Sequence, residues 1–111
     1  MGYRSEVAIS IKKNVFENAS EKVKAAFNDV FPKGPYRETS SNVVFYEEWI
    51  KWYPDFDENI KDIMDYLSSI YDEAVSSCGF IRVGEEDGDT EYEFNPDENG
   101  ISWIRRIEID V

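Results

Sequence analysis

Two hydrophobic periods alternate along this chain, and their order restricts the fold more than any single residue does. "YRSEVAISIKK" sets Val7, Ile9 and Ile11 between Glu6, Ala8, Ser10 and Lys12, a period of two with β-branched residues that predicts a strand. "NASEKVKAAFNDVF" changes to the helical period, with Phe16, Ala19, Val23, Ala26, Phe27 and Val30 on one stripe. Asn18 followed by Glu21 has capping-box spacing, and "FPKGP" must end the helix because proline cannot continue it. "VVFYEEWIKWY" returns to strand character and stops at Pro54; its faces alternate imperfectly around Glu47 and Glu48, as at a bulge or a half-exposed edge position. Asp55 with Glu58 offers a second cap, for "DENIKDIMDYLSSIYDEA". There Ile60, Ile63, Met64, Leu67, Ile70 and Ala74 form the buried stripe, and Gly79 after Cys78 is the expected left-handed stop. "GFIRVGE", "TEYEFN" and "ISWIRRIEIDV" read as three more strands. Tyr92 and Phe94 point one way in the second of these, and Ile101, Trp103, Ile107, Ile109 and Val111 share a face, interrupted by Arg105, in the third.

The order β-α-β-α-β-β-β predicts an α+β two-layer sandwich. Two helices, about residues 18–31 and 57–75, would lie on one face of a mostly antiparallel five-stranded sheet, in the manner of a ferredoxin-like fold with an added strand. A chain of 111 residues fits one domain, 1–111. No apolar run approaches the roughly 18 residues of a membrane span and the N-terminus has no signal-peptide pattern, so a cytoplasmic protein without membrane contact is expected. Cys78 is the only cysteine, which precludes an internal disulfide.

Histidine is absent, which removes the commonest general base, every Ser-His or Cys-His pair and every His-containing metal site. There is no glycine-rich phosphate loop, nucleophile elbow or CxxC motif. "NPDENG", Asn95 to Gly100, resembles the first half of a calcium loop, with oxygen ligands at alternate positions and glycine at the sharp turn. Its twelfth position, however, is Arg106 where a bidentate glutamate is needed, and Asn99-Gly100 is a strong hairpin signal. Acid–base chemistry by paired carboxylates needs environments that push two pKa values apart, and most of the acidic pairs here fall at turns or solvent faces. No catalytic residue, metal or cofactor is therefore expected. The weaker enzyme readings are a carboxylate-based hydrolase and a metal-dependent nuclease.

The net charge of −12 is placed unevenly. Residues 1–55 carry eight basic and eight acidic side chains, whereas residues 56–111 carry four basic against sixteen acidic, which is the whole −12. Direct contact with nucleic acid through that half is disfavoured, and attraction to a basic protein surface is favoured. Two groups stand out. Glu58, Asp62, Asp65 and Asp72 fall at helical steps on a stripe opposite the buried one, roughly 5–6 Å apart by helical rise and so similar to phosphates along a strand. The segment Gly84 to Gly100 holds eight carboxylates and no basic residue, among them Glu85, Glu86, Asp87, Asp89, Glu91 and Glu93.

Aromatics form the other candidate surface, with Tyr36, Tyr46, Trp49, Trp52 and Tyr53 inside eighteen residues. A strand packs one face on two helices, so Trp52 and its neighbour Tyr53 cannot both point at that core. Part of the set is expected on the open sheet face, where Tyr and Trp favour interfaces or a homodimer. "MGYRSEVAI", "WIKWYPDF" and "GFIRVGEE" together resemble small acidic proteins encoded by phages and prophages. That resemblance implies an inhibitor of a host defence system, in the manner of anti-CRISPR and anti-restriction proteins that occupy basic, nucleic-acid-binding clefts. The alternative is a small oligomeric assembly protein that uses its aromatic sheet face.

Overall fold

The computed structural model describes residues 3–103 and 107–109. In chain order the elements are strand β1 (Ser5–Lys12), helices α1 (Lys13–Phe16) and α2 (Glu21–Val30), strands β2 (Arg37–Glu38) and β3 (Asn42–Ile50), and helix α3 (Glu58–Ile70). Strands β4 (Cys78–Gly84) and β5 (Thr90–Phe94), a 3-10 turn (Asp97–Asn99) and strands β6 (Ile101–Trp103) and β7 (Ile107–Ile109) complete it. Five strands form an antiparallel sheet in the order β2-β3-β1-β4-β5. Strand alternation sends Val7, Ile9 and Ile11 of β1 into one core, where they meet Ala26 and Phe27 of α2 and Ile60, Ile63 and Leu67 of α3. The fold is thus α+β, with both long helices on one face of the sheet.

The helix boundaries come from side chains that satisfy end groups. Ser20 Oγ accepts from Val23 N–H at 3.2 Å and starts α2, while the Asn18 amide instead donates to the Asn14 carbonyl at 2.9 Å. Asp57, and not Asp55, caps α3, its Oδ1 accepting from Asn59 N–H at 2.9 Å and Ile60 N–H at 3.2 Å. The helix stops at Ile70, short of the expected 75, because Tyr71 is extended and the buried Ser77 hydroxyl donates to the Ile70 carbonyl at 2.7 Å. Asp72 and Ala74 therefore lie outside the helix, both exposed.

Gly79 does not stop a helix; it sits in β4. A Cβ there would fall 2.4 Å from Pro96 Cα, so the missing side chain is what lets the turn after β5 close onto the sheet. Phe94 just before that turn has φ +66°, which rotates its ring toward the helix-side core against Tyr71. Tyr92, opposite Ile81, faces the other side, so Tyr92 and Phe94 do not share a direction.

"ISWIRRIEIDV" is not one strand of the large sheet. β6 and β7 pair with each other, Ile101 opposite Ile109 and Trp103 opposite Ile107, and the fifth strand of the sheet is the two-residue β2. The hairpin lies on the sheet face away from the helices, where Ile101 and Ile107 bury against Ala8, Val44 and Ile81. Each such isoleucine contributes on the order of 1.5–3 kcal/mol, enough to hold so short a hairpin as a third layer. Arg105 and Val111, the expected interruption and end of that strand, lie outside the described residues, as does Arg106. Among the described residues no helix is long and apolar enough to cross a membrane.

Candidate docking face around Trp49

The pairing of β1 determines which residues meet at one end of the sheet. Ser5 stands opposite Ile50 on one side and Gly84 on the other, which gathers the end of β3, the start of β1 and the tip of the β4–β5 hairpin. Between Ser5 and Val7 the register shifts, so that Glu6 faces both Glu48 and Trp49. This is the bulge expected from the irregular Glu47-Glu48 pattern, and it turns the Trp49 indole outward, leaving it 62% exposed. Beside the indole lies a cleft of about 140 Å³ lined by Arg4, Glu6, Glu48, Val83 and Glu85 among others.

The hairpin tip is held rigidly from the N-terminal side. Tyr3 donates its hydroxyl to Asp89 Oδ2 at 2.6 Å and accepts from Glu86 N–H at 2.8 Å. Tyr53 in turn donates to the Tyr3 carbonyl at 2.8 Å. Arg4 N–H donates to Glu85 Oε2 at 2.9 Å. Arg82 bridges Asp89 Oδ1 at 2.6 Å and Glu91 Oε1 at 2.5 Å, and also donates to Ser5 Oγ at 3.0 Å. Hydrogen bonds from Arg82 and Tyr3 hold the Asp89 carboxyl below the usual carboxylate range. Burial, with the bond to Asp89, pushes the Tyr3 phenol up. The lack of a side chain at Gly84 lets these groups close over the strand, since a Cβ would lie 2.1 Å from Asp89 Oδ2 and 2.3 Å from the Tyr3 hydroxyl.

The expected site residues divide into three sets. Trp49, Glu85, Glu86, Asp87 and Asp89 are brought to the same end of the molecule, with Glu85 to Asp87 exposed at the tip. Glu91 and Glu93 continue along β5, opposite Arg82 and Phe80, on the sheet face that carries the helices. The helical stripe is less regular than its spacing implies. Glu58 and Asp65 are exposed on α3, but Lys61 pairs with Asp65 at 2.8 Å, Asp62 turns toward Lys22 of α2 at 3.8 Å, and Asp72 has left the helix. Trp52 is not a surface residue. It is 6% exposed and packs between Phe31 and Phe80, while Tyr53 is half-buried.

Arg4, Glu6 and Val83 line the cleft without having stood out in the sequence, and Glu48 stood out only as an irregular strand position, because strands far apart in sequence bring them together. Burial and the hydrogen bond to Glu6 push the Tyr46 phenol well up, which keeps it a neutral donor to that carboxylate. Tyr36 stacks edge-on against Tyr46 with centroids 5.2 Å apart. The centre of this sheet face is not open, because β6 and β7 cover it.

The "NPDENG" segment folds as a 3-10 turn closed by Gly100 at φ +76°. The Asn99 side chain, expected among the oxygen ligands of a calcium loop, faces the protein interior. Its Oδ1 accepts from Asn42 Nδ2 at 2.9 Å, and its Nδ2 donates to the Ser76 and Asn95 carbonyls at 2.9 Å each. Cys78 is fully buried and burial raises its thiol to about 11, so it is a packing residue. Comparison with known proteins gives no matching family model, no similar curated protein and no similar solved structure.

Proposed function

We propose that the protein is a non-catalytic binding module for a basic protein surface, engaged through the hairpin tip and the exposed carboxylates beside it. One observation carries this reading. Both described cations of the acidic half, Lys61 and Arg82, are held in internal ion pairs, while Glu58, Glu85, Glu86, Asp87 and Glu93 stay exposed around them. A charged surface that is rigid before binding loses little entropy on association and steers a partner of opposite sign. With the resemblance to small phage proteins, this makes the chain an inhibitor that fills the nucleic-acid groove of a host defence protein, such as a CRISPR effector, in the host cytoplasm. The absence of histidine and the buried thiol support binding over catalysis.

The experiment is affinity capture followed by association kinetics with the captured protein. Glu86→Lys with Asp87→Lys should slow association about tenfold at low ionic strength and much less at high salt. The melting temperature should stay unchanged, since both side chains face water. Unaltered association at low salt would show that the acidic surface is only solvated.

A further inference from the structure

We infer that the cleft beside Trp49 receives one arginine side chain of a protein partner. This rests on the acidic-face reading above and adds the contact that would give that face selectivity. Trp49 is one of the most exposed large apolar side chains of the described chain, and it lines a shallow, open cleft. A volume near 140 Å³ is well below the roughly 300–1,000 Å³ of small-molecule sites and suits the end of a single side chain. Three carboxylates, Glu6, Glu48 and Glu85, line it against one guanidinium, Arg4, so the guest is cationic and a phosphate is repelled.

Arginine fits better than lysine. Its flat, weakly hydrated guanidinium can stack on an indole face while donating sideways to carboxylates, and an ammonium cannot do both. The rim needs little reordering, because the Arg4 amide fixes Glu85 and the Gly84 amide is bonded to the Asp89 carbonyl at 2.7 Å. Arg4 is the one feature that opposes the guest. Its removal should therefore strengthen binding, which no purely structural role for the cleft would produce.

The test titrates isotope-labelled protein at low ionic strength with two capped peptides of equal length and charge, one of Gly-Arg and one of Gly-Lys repeats. The Trp49 indole resonance, assigned by its loss in Trp49→Phe, should move with the arginine peptide, which should bind about two- to fivefold tighter than the lysine peptide. Trp49→Ala should equalise the two peptides while keeping most of the lysine-peptide affinity, and Arg4→Gln should tighten both. Both variants alter side chains outside the core, and thermal melts establish that they fold. Equal affinities in the unaltered protein, an arginine preference that survives Trp49→Ala, or weaker binding by Arg4→Gln overturns the arginine cleft and leaves the acidic face standing. If neither peptide binds, the acidic face fails with it.

Discussion

Where β1 finishes and β4 begins, one network of polar side chains is neutral and sealed; at the opposite end of the same strands the corresponding network is charged and reaches water. At the first end Asn42 Nδ2 donates to Ser10 Oγ at 3.0 Å and to Asn99 Oδ1, and all three residues are at most 2% exposed. Asn95 Oδ1 is buried there with no partner among the described residues. At the second end Arg82, Asp89, Glu91 and Tyr3 form a network whose acidic members remain a third to a half exposed. A sealed amide network cannot exchange a lost partner for water, so it locks the turn after β5 in place. A half-solvated ionic network contributes less to stability. What it contributes is a fixed position for the charges at the tip.

The sharpest way to break this contrast is a methyl group at each end. Gly79→Ala sets a Cβ against the backbone of Pro96, which has nowhere to go, and should cost about 3 kcal/mol in urea unfolding. Gly84→Ala meets only the ends of Asp89 and Tyr3, which can swing aside, and should cost about 1 kcal/mol. Equal losses would mean that the two ends are equally rigid. Between these two in size is Asn99→Ala, which leaves the Ser76 and Asn95 carbonyls without their donor and should cost about 2 kcal/mol. A denaturation midpoint within error of the parent would show that water reaches that end after all.

The smallest effect concerns acid. The folded-state pKa of Asp89 is depressed below 3.8, so its contribution is complete above that value and fades as pH falls through the folded pKa. The difference in urea midpoint between the parent and Asp89→Asn should be constant near neutrality and shrink below about pH 4. A difference that persists at the lowest pH would assign the effect to shape and not to charge.

The periodicities exposed most of this architecture. Period two located β1 and β5, the run of aromatic and β-branched residues located β3, "GFIRVGE" located β4, and period 3.6 located the faces of α2 and α3. The misreadings share a cause, contacts made across long sequence distances. Ser77 ends α3 through a hydrogen bond to Ile70, and no local signal at residue 71 announces it. β6 and β7 pair Ile101 with Ile109 and Trp103 with Ile107, so alternate positions stay matched across the pair and the sequence alternation looks the same as that of one long strand. Trp49 and Trp52 differ by three positions, yet a bulge exposes one and the core takes the other. The tip's acidity was plain from composition. The cleft was not, since its walls come from β1, β3 and the end of β4.

The central place of β1 has a consequence for how the molecule forms. β1 precedes both of its neighbours, β3 and β4, and Ser5 does not meet Gly84 until about eighty further residues have been made. At roughly 5–20 residues per second, a nascent chain holds β1 for several seconds with one side of its backbone unpaired. Pairings of such long range also place refolding at the slow end of the scale for small domains, in milliseconds to seconds. Through that interval the apolar row Val7, Ile9 and Ile11 is shielded only by the helices and β3, which makes the half-built sheet the species most prone to stick to its neighbours.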